Sequence, residues 1–128
     1  MNDSTTGVDD VDSGEDLQTI GVTEQGAEAL DALLRRGWFS TEMAAFKAAV
    51  AYAVANDIPP TSEGRFKTTW NTGSLDKNGE FIDTLVLLLG PQRPWDQVRR
   101  LGDAGLRHLA ARLDSADVPT ELFLGNAR

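Results

Sequence analysis

Ser40–Asn56 reads STEMAAFKAAVAYAVAN, and the reading of this stretch decides the fold. Met43, Phe46, Val50, Ala53 and Val54 recur at spacings of three and four, which is one stripe of an α-helix. Ala44, Ala45, Ala48, Ala51 and Ala55 fill most of the other faces, and only Glu42, Lys47, Tyr52 and Asn56 are plainly polar. Alanine is the strongest helix former and lets neighbouring backbones come close. A helix that is apolar nearly all round calls for cover on more than one side. The stretch is therefore expected at the centre of a small helical bundle. Ala44, Ala48, Ala51 and Ala55 are expected to form an interface with a second copy of the chain.

Working outward on the N-terminal side, Ser40 or Thr41 suits the cap of this helix, and Trp38–Phe39 forms an apolar connector. Before it, Thr23 reads as the N-cap of a helix over 24–36, with Ala27, Leu30, Leu33 and Leu34 facing inward. Arg35 and Arg36 lie in its last turn, and Gly37 suits the left-handed position that follows. Leu17–Val22 alternates as a short strand.

On the C-terminal side, Ile58-Pro59-Pro60 ends the central helix. Arg65–Thr72, RFKTTWNT, alternates as an extended arm. Phe66, Thr68, Trp70 and Thr72 share one side of it, and Arg65, Lys67, Thr69 and Asn71 the other. Gly73–Gly79 is turn-forming, and Glu80–Leu89 reads as a helix almost wholly buried. Gly90-Pro91 stops it, and Pro94 opens a fourth helix carrying Trp95, Val98 and Leu101 inward. Gly102 and Gly105 weaken the middle of that helix, and Asp103 suits the cap of a restarted segment. Leu106, Leu109 and Leu113 continue the stripe, and Val118–Leu124 reads as a docking strand or a short helical turn.

The fold class is thus mainly α, with short β segments and a small helical bundle. Residues 17–128 of the 128 suffice for a single domain with a buried core. The absence of cysteine excludes disulfides and thiolate metal sites. The longest strongly apolar run, Leu85–Leu89, is far too short to span a bilayer, and no signal-peptide pattern opens the chain. A cytoplasmic protein without a membrane segment is the expectation. The net charge of −8 is concentrated at the start: residues 1–16 hold six acids and no base, against 14 acids and 12 bases in the remainder. Met1–Asp16 is too poor in apolar residues to order itself. Such a segment serves either as a solubilising tail or as a DNA-mimicking, autoinhibitory one.

Chemistry-bearing motifs are scarce. Asp76-Lys77-Asn78-Gly79-Glu80 opens like a calcium loop, but Phe81 stands where glycine is required and Leu87 where a bidentate glutamate is required. His108 is the single histidine; no neighbour in sequence supplies a nucleophile or an orienting acid, so it reads as a surface or satisfied structural histidine, with a general base as the alternative. There is no phosphate loop, nucleophile elbow or dinucleotide fingerprint. No catalytic residue, metal ligand or cofactor is assigned, and a non-enzymatic protein is expected.

Strand QTIGV, helix EQGAEALDALLRR and helix STEMAAFKAAVAYAV follow the order of a ribbon-helix-helix unit over Gln18–Pro59. In that motif two strands from a dimer enter the DNA major groove. Continued through GRFKTTWNTGSLD and FIDTLVLLL, residues 17–90 resemble DndE, the small component of bacterial DNA phosphorothioation systems. The resemblance implies a compact helical protein that self-assembles and associates with DNA. The strand offers Gln18 and Thr19 but no cation, and phosphate contacts dominate DNA affinity. The expected DNA surface is therefore the arm, Arg65, Lys67, Thr69 and Asn71, with Lys77, Arg35, Arg36 and Lys47. Arg99, Arg100, Arg107 and Arg112 form a second candidate patch, and Trp70 faces the core in this reading. The competing expectation is an adaptor that binds another protein through Trp38-Phe39 and Leu122–Leu124.

Overall fold

The computed structural model describes residues 16–62 and 64–124, and the acidic stretch Met1–Glu15 lies outside the described residues. The first elements follow from local signals. Strand β1 is Thr19–Val22 and helix α1 is Glu24–Arg35. The Thr23 hydroxyl accepts the Gly26 N–H at 3.1 Å, as an N-cap should. Gly37, at φ +77°, ends the helix in the left-handed region. Helix α2, Glu42–Ala55, is capped by Thr41, whose hydroxyl accepts the Ala44 N–H at 3.1 Å. It ends in a Schellman turn: Asp57 sits at φ +53°, and the Ile58 N–H reaches the Ala53 carbonyl at 2.9 Å.

Strand β2, Lys67–Asn71, pairs antiparallel with β1, so the ribbon is formed within one chain. Ile20 faces Trp70 and Gly21 faces Thr68, which leaves Thr69 as the extra residue of a bulge. Gly21 has no side chain because one there would overlap the Lys67 carbonyl. Helix α3, Thr72–Leu75, occupies part of the stretch read as turn, and Leu75 anchors it in the core. Helices α4, Glu80–Leu89, α5, Pro94–Ala111, and α6, Pro119–Leu124, follow, with a 3-10 turn at Leu113–Ser115 before the last. Among the described residues the protein is six helices and one two-stranded sheet, and mainly α as expected.

The hub is α5 rather than α2: α5 packs on α1, α2, α4 and β1. It runs unbroken from Pro94 to Ala111, so Gly102 and Gly105 do not divide it. They bring it close to α2. A side chain at Gly102 would enter the Phe46 ring, and one at Gly105 would enter the Ala49 carbonyl. Helix α2 buries Ala45, Phe46, Ala49, Val50, Tyr52 and Ala53 against this seam. Its cover is one-sided, since Ala44, Ala51 and Ala55 are exposed and Ala48 is half-buried.

Asp103 caps no restarted helix; it is fully buried and ties two segments to α5, the β1–α1 junction and the loop holding Thr61. Oδ1 accepts the Thr23 N–H at 2.9 Å and the Thr23 hydroxyl at 2.8 Å, and Oδ2 accepts the Thr61 hydroxyl at 2.9 Å. Arg107 Nε lies 3.0 Å from Oδ2 but outside hydrogen-bonding alignment, so that contact is Coulombic. The Arg107 Nη2 group donates instead to the Thr23 hydroxyl at 2.8 Å. A side chain at Gly26 would strike the same carboxylate. Helix α1 therefore turns Gly26, Ala29, Leu30 and Leu33 inward, and Ala27, expected inside, is exposed. Asp16 also belongs to the folded body, where its carboxylate accepts the Trp95 N–H at 2.6 Å and the Asp96 N–H at 3.1 Å and caps α5.

Gly105→Ala separates the two roles of that glycine. In an open helix the change would stabilise by about 1 kcal/mol. Here the methyl meets α2 backbone, and overpacking costs about 1–3 kcal/mol. Urea unfolding is expected to show a net loss of stability, and a gain would mean that α2 and α5 are not in this contact.

Candidate interaction surface

Helix α4 begins where Asp76 caps it. The Asp76 carboxylate accepts the Phe81 N–H at 3.0 Å and the Ile82 N–H at 2.9 Å, so the calcium-like turn is a helix start. Gly79, at φ +75°, makes the turn into the helix, and Gly90 with Pro91 makes the turn out. Leu85 is buried, Phe81, Ile82 and Leu89 are partly buried, and Phe81 stacks toward Trp95 with centroids 6.2 Å apart. The expectation of an almost wholly buried helix fails on the other side. Leu87 is 86% exposed and Leu88 61% exposed. The reason is geometric: seven large apolar residues encircle the helix, while among the described residues α5 is its main neighbour.

Lys47 on α2 lies 5.8 Å from the Phe81 ring, and about two turns further along both helices Val54 shares a groove with Leu88. The two helices thus run in the same direction. Near their C-terminal ends lies a groove of about 340 Å³, walled by Val54, Ile58, Pro59, Pro60, Leu88 and Leu89 over Leu101. Its single charged lining residue is the exposed Asp57. The outer stripe of α4 is Glu80, Asp83, Thr84, Leu87 and Leu88, all exposed. The spacing of these five residues was present in the sequence, but reading the helix as buried hid it.

The residues expected at a DNA surface fall in separate places. Arg65, Lys67, Thr69 and Asn71 are exposed along β2 and its approach. Lys47 and Lys77 line a different hollow with Asp76, Glu80 and Phe81. Arg36 is engaged internally, donating to the Leu113 carbonyl at 2.6 Å and the Ala116 carbonyl at 2.8 Å. Arg35 is exposed at the far end of α1, roughly 18 Å of helix from where Val22 pairs with Lys67. Thr69 also borders a hollow lined by Glu24, Glu28, Asp31 and Glu42, which places four carboxylates beside the arm.

The second arginine patch is consumed by the fold. Arg99 pairs with Asp96 at 2.8 Å, and Arg100 reaches Asp96 at 3.3 Å and the Ser62 carbonyl at 2.9 Å. Both cover the Phe66 ring, at 4.6 and 5.7 Å from its centroid. Arg112 donates to the Tyr52 hydroxyl at 3.3 Å and to the Leu122 carbonyl, which holds α6 down. His108 Nδ1 shares a 2.8 Å hydrogen bond with the buried Tyr52 hydroxyl, a structural role of the kind expected for His108, with a partner the sequence did not suggest. Trp70 packs on Phe46 with centroids 5.1 Å apart, on the core side as expected. Trp38 and Phe39 are partly buried against the core, and Phe39 meets Phe123 edge-on at 6.0 Å.

Among the described residues, no cluster of three His, Asp or Glu is placed to hold a metal, and no helix is long and apolar enough to cross a membrane. Comparison of the chain with protein-family models, curated proteins and solved structures gives no match.

The two sides of α4 make opposite predictions for stability. Leu85→Ala removes a buried side chain and is expected to cost about 2–5 kcal/mol. Leu87→Ser and Leu88→Ser change exposed residues and are expected to stay within about 0.5 kcal/mol of the parent in urea unfolding. Equal losses on both sides would mean that the leucines are covered in the isolated chain.

Proposed function

We propose that this chain is a non-enzymatic protein-interaction module that presents α4 to another protein. The observation that carries the reading is the pair Leu87 and Leu88, exposed side by side on a helix whose opposite face is packed. Adjacent large apolar side chains rimmed by polar residues mark interaction surfaces. Here they border an apolar groove, which adds a recess to the ridge. The surface in this reading is not the one expected from Trp38-Phe39 and Leu122–Leu124: Phe39 meets Phe123 edge-on, Leu122 is buried, and only Leu124 of that tip is exposed.

A photo-crosslinking residue at Leu88 of the full chain, expressed in its source cells, tests this. Capture of a discrete protein from Leu88, absent when the crosslinker sits at the exposed Asp114, is the expected result. Identical products from both positions, or none from Leu88, would end the reading.

A second reading, weak DNA contact by a self-assembling DndE-like component, is favoured by the exposed row Arg65, Lys67, Thr69 and Asn71. In it Ala44, Ala51 and Ala55 serve the assembly. Fluorescence anisotropy with duplex DNA should then show binding at low salt that weakens steeply as salt rises and falls with Lys67→Ala. An unchanged signal at the lowest salt removes DNA from consideration.

A further inference from the structure

Resting on the interaction reading above, we infer that the partner of α4 is the apolar face of a cationic amphipathic helix belonging to another protein. Charge and shape both point there. Along the outer stripe the order is carboxylates first, Glu80 and Asp83, then Thr84, then Leu87 and Leu88. Beyond the leucines lies the groove, with Asp57 on its rim. The apolar patch is thus bracketed by acids at both ends. Glu80 shares a hollow with Lys47 and Lys77, so the acidic character rests chiefly on Asp83 and Asp57. Neither of these two carboxylates takes part in an ion pair among the described residues. A ligand that places apolar side chains over Leu87, Leu88 and the groove, and cations toward the two ends, satisfies every part of the surface.

A helix fits better than a strand. The patch consists of side chains on a helix whose backbone groups are already bonded, so it offers no edge for strand addition. From Glu80 to Leu88 the stripe is roughly 12 Å long, which about three turns of a partner helix cover with overlap. A second copy of this chain fits less well. Each copy carries a net charge of −8 and brings the same acids to the same stripe.

The test uses the full chain and two synthetic peptides of about 18 residues, five helical turns, with leucines at spacings of three and four. One peptide carries lysine at the exposed positions between the leucines, and the second carries glutamate there. The lysine peptide is expected to bind and to compete the Leu88 crosslink. The Leu87→Ser, Leu88→Ser double variant should bind it at least about tenfold more weakly, and Asp57→Lys with Asp83→Lys should also weaken it. The glutamate peptide should bind at least about tenfold more weakly than the lysine peptide. Equal binding by the double serine variant would reduce the lysine peptide to general attraction and overturn the inference. So would preference for the glutamate peptide. Sedimentation of the chain as a dimer that the serine variant splits would assign the surface to a second copy instead. If Leu88 captures a protein that the lysine peptide does not displace, the interaction reading stands and the cationic helix falls. If Leu88 captures nothing, both fall.

Discussion

A carboxylate with no solvent exposure sits at the middle of the longest helix, and the arrangement of the other segments depends on it. Burying Asp103 is unfavourable by several kcal/mol unless the site returns what water supplied. The site does so with three hydrogen bonds and a guanidinium. The Thr23 hydroxyl is saturated in the process: it donates to Asp103 and accepts from the Gly26 N–H and from Arg107. The N-cap of α1 is therefore also a tertiary contact. The angle at which α1 leaves β1, and the position of the loop holding Thr61, are set by one oxygen pair on α5. Such a site is worth more for the geometry it selects than for net stability, because removing one partner strands the others.

The same helix turn explains the density of the α2 seam. Gly102 and Gly105 flank Asp103, so α5 presents bare backbone to α2 where it presents a charge to α1. A longer side chain at either glycine would hold α5 and α2 apart. Close approach on one side and polar satisfaction on the other are coupled through a single turn.

This division also accounts for what the sequence allowed to be read. Helix starts and stops were legible at Thr23, Thr41, Gly37, Pro94 and Gly90-Pro91, because caps act within one or two turns of the residue that makes them. The extended run at Lys67–Asn71 was legible for the same reason, but strict alternation over Arg65–Thr72 fails, since Thr68 is exposed, Thr72 opens α3, and the bulge at Thr69 answers to Gly21 on the other strand. Asp103 and the two glycines were misread as helix-breaking signals. The meaning of Asp103 lies about 40 to 80 positions away in sequence, at Thr61 and Thr23, and that of the glycines lies at Phe46 and Ala49 on α2. Periodicity can identify apolar faces, but it cannot count the neighbours available to cover them. On α4 that count left Leu87 and Leu88 uncovered, and on α2 it left the outer alanines uncovered.

The distribution of charge follows from the same economy of neighbours. Arg36, Arg99, Arg100, Arg107 and Arg112 all reach inward, to carbonyls, to Asp96, to Asp103 or to Tyr52. Arginine suits this work because its planar fork satisfies several acceptors at once while its stem covers apolar surface, as at Phe66. Drawing so many cations into the fold leaves the outer surface more acidic than the ratio of acids to bases suggests. An exposed leucine pair on such a surface is partly protected from collisions between copies by their like charge. That protection disappears toward a cationic partner, so the charge that keeps copies of this chain apart also favours a basic ligand on the same helix.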